Sequence, residues 1–200
     1  MTLQQLLTAA RERLVAAGIA PDEAAIDVDL YARTILGWDR ARLLIEGRSP
    51  VPPRLEPQFS QWVDRRTHHE PSAYITGARE FWGLEFRVSP AVLIPRPETE
   101  FIVEESLALL QAVAGPRVAD IGTGSGNIAV SLARMRRDAQ VVATDVSGDA
   151  LAIALQNAER HGVANRVDFI ATSYLGGVEG DFDLIAANPP YVREIDRSAL

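Results

Sequence analysis

The sequence predicts an α/β chain in which a small all-α helical bundle precedes an open, doubly wound parallel sheet. Three observations carry this. Residues 1 to 75 repeat apolar side chains at helical spacing between glycine stops. From Val118 onward, short apolar runs alternate with amphipathic stretches of helical length, the pattern of βαβ units. Two of those runs end in groups that a buried strand does not need: Gly122-Thr123-Gly124-Ser125-Gly126 and Asn188-Pro189-Pro190-Tyr191.

In the N-terminal bundle, Leu3, Leu6, Leu7, Ala10, Leu14 and Ala17 share one helix face, and Gly18 is placed to stop that helix. Pro21, Asp22 and Glu23 read as the first turn of a second helix, which runs to Leu36 and ends at Gly37. Asp39 is placed to cap a short third helix closing at Gly47. Pro50, Pro52 and Pro53 link it to a fourth, with apolar positions at Leu55, Phe59, Trp62 and Val63. His68 and His69 are adjacent, do not share a helix face and have no partner ligands nearby. They read as solvated residues at a helix end, and no metal is expected. Nothing in the bundle carries evident chemistry, so recognition is its expected task.

Residues 76 to 97 read as a hairpin and linker. Glu80 to Val88 alternates apolar and other residues around Gly83, and Pro97, Glu98 and Glu100 suit the first turn of a following helix. The domain of residues 98 to 200 then begins. Its first strand leads through Asp120 into a Gly-x-Gly-x-Gly turn and a helix from Ile128 to Met135. Missing side chains let backbone approach a ligand there, although dinucleotide folds show Gly-x-Gly-x-x-Gly instead. A second strand, Gln140 to Thr144, ends in Asp145, 19 residues after Gly126, where a carboxylate can accept both ribose hydroxyls of a nucleoside. The helix from Asp149 to His161, the third strand from Val167 to Ala171 and the fourth from Asp183 to Ala187 complete the order.

Asn188 stands at the carboxyl end of that fourth strand, where open α/β sheets place ligands. A residue before proline is held extended. Pro189 and Pro190 stiffen the turn and lack N–H groups, leaving carbonyls as acceptors. An amide side chain and a neighbouring carbonyl at one rigid point can take both hydrogens of an –NH2 group, and Tyr191 offers a flat face. Taken alone, these four residues also fit a proline-rich loop that merely ends a strand.

The chain has 200 residues, 47% of them apolar, and a net charge of -7. That suffices for a core and argues against broad affinity for nucleic acid. All 20 basic residues are arginine, and there is no cysteine, so disulfides and thiolate metal sites are excluded. No apolar run approaches a membrane span and no signal peptide is evident, so a cytoplasmic protein is expected.

With these residues in view, the chain resembles the HemK/PrmC family, the glutamine methyltransferases of bacterial peptide-chain release factors. The likeness runs from residue 1 to residue 200. It is carried by the helical domain, Phe81-Trp82-Gly83, Leu93-Ile94-Pro95-Arg96-Pro97-Glu98-Thr99-Glu100, the Asp120 to Gly126 loop, Asp145 and Asn188 to Tyr191. The string from Ile94 to Glu100 is the most diagnostic. It favours this family over ribosomal-protein glutamine methyltransferases and DNA adenine methyltransferases that share Asn-Pro-Pro-Tyr.

The resemblance implies a class I S-adenosylmethionine-dependent methyltransferase that acts on the Gly-Gly-Gln glutamine of class-one release factors. By that likeness, Gly122, Thr123, Gly124, Ser125, Gly126, Asp145, Ser173 and Asn188 hold S-adenosyl-L-methionine. Asn188, Pro189, Pro190 and Tyr191 meet the substrate, and Asn188, Pro189 and Tyr191 are the expected catalytic group. Family members commonly carry Asp-Trp after the third strand; Thr172-Ser173 stand here, implying altered cofactor binding. The chain stops nine residues after Tyr191, so the sheet is expected to be incomplete at its carboxyl end and catalysis impaired. The alternatives are a DNA or RNA adenine methyltransferase and a cofactor-binding module without activity.

Overall fold

The computed structural model describes residues 1–189. Contacts divide the chain into two compact units, Met1–Gly77 and Ala78–Leu200. The hairpin expected as a linker falls within the second unit.

The first unit is helical. Helix α1 (Leu3–Ala16) opens on a capping box, with Thr2 and Gln5 each accepting the other's backbone N–H. Helix α2 (Pro21–Leu36) has the expected bounds, and Asp39 accepts the Arg42 N–H at 2.7 Å to start α3 (Arg40–Ile45). That helix ends before Gly47, in a 3-10 turn over Glu46–Arg48. Helix α4 (Gln58–Thr67) begins only after Pro57, so Leu55 lies ahead of it, though fully buried. A short helix that the sequence pattern does not announce, α5 (Ser72–Thr76), follows Pro71 and buries Ile75. Tyr31 and Trp62 meet edge-on, and the buried Arg66 guanidinium bonds Asp27 at 2.7 Å, joining α4 to α2.

The second unit opens with an antiparallel hairpin, β1 (Ala78–Phe81) and β2 (Leu84–Arg87), turning on Trp82 and Gly83. A 3-10 turn over Pro97–Thr99 leads into α6 (Glu100–Leu109). Then come β3 (Arg117–Ile121), α7 (Asn127–Met135), β4 (Gln140–Asp145), α8 (Gly148–Arg160), β5 (Val167–Ala171) and β6 (Leu184–Ala187). The four strands are parallel in the order β5-β4-β3-β6. Val118, Val141 and Ala143 of the sheet and Ile128, Ala129 and Leu132 of α7 are buried together, which is why these strands read as unbroken apolar runs. Among the described residues, no helix is long and apolar enough to cross a membrane.

Candidate active site

The sheet order fixes where the site lies. From β3 the chain winds outward through β4 and β5, then returns across the sheet to place β6 on the other side of β3. The gap between β3 and β6 is therefore the topological switch point, where ligands of open α/β sheets bind. Register aligns the strand ends there. Ile121 pairs with both Thr144 and Ala187. The residues one step further, Gly122, Asp145 and Asn188, thus form a row across the carboxyl edge. Strands are ~4.8 Å apart, so Asp145 and Asn188 flank Gly122 at about one strand spacing each.

The glycine loop is held by backbone and by a buried acid. The N–H groups of Gly122 and Thr123 both donate to the Thr144 carbonyl, at 2.8 and 2.9 Å. Asp120, 1% exposed, accepts the Thr123 hydroxyl at 2.7 Å and the Ala129 N–H at 3.1 Å through the same oxygen. Its Oδ1 has no hydrogen-bond partner among the described residues. Gly126 has φ +79°, and a Cβ there would lie 3.0 Å from Ala154 Cβ, so the loop presses directly on α8. At Gly122 and Gly124 a Cβ would meet nothing within 4 Å, so those two face open space.

Burial, opposed by the bonds from Thr123 and Ala129, pushes the Asp120 carboxyl up from its ordinary 3.8 to about 6. A raised acid favours the folded state fully below the unfolded value, and that contribution is lost as pH rises through the folded value. Wild type should therefore lose about 3 kcal/mol relative to Asp120→Asn between about pH 4 and pH 7. Urea unfolding of both proteins across that range checks it, and a pH-independent difference would contradict it.

Asp145 is spent partly on the protein. Its Oδ2 accepts the Gly124 N–H and its Oδ1 the Ser147 N–H, each at 2.9 Å. A carboxylate offers about four acceptor positions, so these bonds aim it while leaving capacity for hydroxyls. The turn after β5 is tied to the same edge: the Thr172 N–H donates to the Asp145 carbonyl at 3.0 Å, and the Thr144 hydroxyl donates to the Tyr174 carbonyl at 2.7 Å. Ser173 is exposed beside that edge.

Asn188 is half-buried, and its Nδ2 donates to Thr99 Oγ1 at 2.9 Å. The next residue of the diagnostic string, Glu100, accepts the Trp82 N–H at 2.9 Å through Oε1. Trp82 has φ +54°, unusual for a bulky residue, and this bond holds it there. The string thus ties the start of α6 both to the hairpin and to the end of β6. Pro189 follows, exposed, whereas Pro190 and Tyr191 lie outside the described residues.

Gly122 to Gly126, Asp145, Ser173 and Asn188 therefore gather at one sheet edge. Sequence reasoning missed Asn157 of α8, which is fully buried. Its side chain bonds both the N–H and the carbonyl of Arg87, and donates to the Ser125 carbonyl at 2.8 Å. It locks the end of the hairpin and the glycine loop to α8. An amide among the buried alanines of that helix, Ala150, Ala154 and Ala158, is the signal that could have found it.

The PrmC N-terminal domain family matches residues 5–77, and the methyltransferase small domain family matches residues 101–199. A release factor glutamine methyltransferase from Moorella thermoacetica is 42% identical, over 96% of this chain and 68% of that protein. One from Nitratidesulfovibrio vulgaris is 41% identical, over 100% of this chain and 67% of that protein. A solved SAM-dependent methyltransferase from Geobacter sulfurreducens, in complex with S-adenosyl-L-homocysteine, is 33% identical over 46% of this chain and 36% of that one, with a TM-score of 0.38. The chain spans about two thirds of the length of the two release factor methyltransferases, at identities far above chance over nearly all of its own residues. It belongs to the release factor glutamine methyltransferase family.

Proposed function

We propose that this chain is an S-adenosyl-L-methionine-dependent methyltransferase that modifies the side-chain amide nitrogen of the glutamine in the Gly-Gly-Gln motif of bacterial release factors. The observation that carries this is Asn188, an amide at a strand end beside the switch point, one strand away from the glycine loop. Family membership supplies the substrate class.

The residues at the edge fit the cofactor. Two carboxylates, Asp120 beneath the loop and Asp145 beside it, make the site electronegative, which suits a cationic sulfonium better than a diphosphate. The orphaned Oδ1 of Asp120 and the open space at Gly122 and Gly124 are consistent with a ligand seated against the loop. When bound, S-adenosyl-L-methionine supplies an electrophilic methyl group. In this reading the glycine loop, Asp145 and Ser173 hold it.

The chain's own task is then to orient a poor nucleophile. A primary amide nitrogen shares its lone pair with its carbonyl. Asn188 Oδ1 and the Pro189 carbonyl accept its two N–H groups, which raises electron density on nitrogen and aims it. By the family resemblance, Pro190 and Tyr191 are assigned to the substrate as well, Tyr191 through its flat ring. Positioning of this kind can lower a barrier by roughly 7–11 kcal/mol without a strong base. The helical unit, with its own core, recognises the release factor, and the reaction belongs in the cytoplasm, where release factors work.

Asp145→Ala should weaken cofactor binding by about 1–3 kcal/mol in isothermal titration, because ribose hydroxyls lose a charged acceptor. Asp145→Asn, which keeps one accepting oxygen, should fall between. An unchanged dissociation constant would mean that the ribose lies elsewhere. The function itself is tested by offering labelled S-adenosyl-L-methionine with either a release factor or adenine-containing DNA. Label should enter the release factor alone. Label in DNA would support the adenine reading, and failure to bind the cofactor would defeat both enzyme readings.

A further inference from the structure

We propose that Thr99 is a positioning residue for methyl transfer: its hydroxyl anchors the Asn188 side chain at the end of β6, in the place from which Oδ1 meets the reacting nitrogen. This rests on Asn188 being the acceptor for the substrate amide.

The two ends of an asparagine side chain have nearly the same shape, and a half-turn about the last torsion exchanges them. Only the oxygen end can accept substrate N–H groups, so the clamp works only if that torsion is set. Thr99 anchors the side chain. Its Oγ1 accepts from Asn188 Nδ2 at 2.9 Å across 89 residues of sequence. The planarity of the amide then turns Oδ1 away from Thr99.

Three features make this hydroxyl a fixed point. Thr99 is 5% exposed. It ends the 3-10 turn of Pro97–Thr99, where its N–H donates to the Arg96 carbonyl at 3.0 Å. The next residue, Glu100, is anchored to the Trp82 N–H. Thr99 also stands at the entry to α6, where threonine ordinarily caps the helix, yet it makes no side-chain cap bond. Its hydroxyl is directed at Asn188 instead. The proline-rich string before α6 is thereby given a role: it delivers one rigid acceptor to the end of β6.

Thr99→Val keeps the branched shape and removes the acceptor. In the full chain it should lower kcat toward a release factor by on the order of 10–100-fold, the scale of a small misplacement of a reacting group. The release-factor KM, the cofactor dissociation constant and the unfolding midpoint should stay near wild type. Thr99→Ser, which restores the hydroxyl, should recover most of kcat. In the nuclear magnetic resonance spectrum, the Asn188 side-chain NH2 pair should shift in Thr99→Val and return in Thr99→Ser. An active wild type with an equally fast Thr99→Val overturns this inference alone. So does a Thr99→Ser as slow as Thr99→Val, since shape rather than the hydroxyl would then matter. A wild type that transfers no methyl to release factor overturns the underlying reading of Asn188 and this inference with it.

Discussion

Asn188→Ala should lower methyl transfer to a release factor by about 10²- to 10³-fold in kcat, the usual scale for removing one preorganised hydrogen-bonding group from an active site. The fold should barely register the change. Asn188 is only half-buried and follows the last residue of β6, and loss of its bond to Thr99 has a net cost of about 0.5–1.5 kcal/mol. Cofactor affinity should change far less than kcat, because the glycine loop and Asp145 stay in place on β3 and β4. Steady-state kinetics beside thermal unfolding separates these effects. Activity within a few-fold of wild type would remove the amide clamp.

The largest effect on stability is expected at Gly126. Alanine there must adopt a left-handed backbone at φ +79°, which costs roughly 1–2 kcal/mol. Its Cβ must also fit 3.0 Å from Ala154 Cβ and 3.2 Å from Ala154 Cα. The second contact is backbone and cannot swing aside, so loop and α8 must part, at a further cost of about 1–3 kcal/mol. Gly126→Ala should therefore destabilise the second unit by about 2–5 kcal/mol in urea unfolding. Gly122→Ala provides the contrast. Its φ of +71° carries the same strain, but the added Cβ meets nothing within 4 Å. That variant should lose less stability, yet on the proposed reading it places a methyl group where backbone meets the cofactor, so cofactor affinity should fall. Equal destabilisation by both changes would show that the press of Gly126 on α8 is not what the fold depends on.

Features set by neighbouring residues were legible in the sequence. Alternating glycines after an apolar run announced the loop, because steric restriction acts within two or three residues, and the apolar run before Asn188 announced the strand that it follows. Position alone suggested Asp145, since a parallel sheet brings successive strand ends together. Contacts joining distant segments were not legible. Thr99 lay inside a recognised string, but its bond to Asn188 exists only because β6 crosses back beside β3 and pairs Ala187 with Ile121. Asn157 was hidden likewise: a helix polar residue reads as solvated until the hairpin end and the loop are known to meet it. The bounds of α3 and α4 shifted for a local reason, since Pro57 delays α4 and leaves Leu55 to enter the core from a turn.

If the row Gly122, Asp145 and Asn188 serves transfer of a methyl group to an amide nitrogen, the product itself should show it. The most direct measurement is fragment mass spectrometry of a release factor incubated with the protein and S-adenosyl-L-methionine, with Asn188→Ala run alongside. Wild type should add one methyl group to the Gly-Gly-Gln glutamine side chain, and the variant almost none. A methyl group on any other residue, or equal modification by both proteins, would contradict that role for the row.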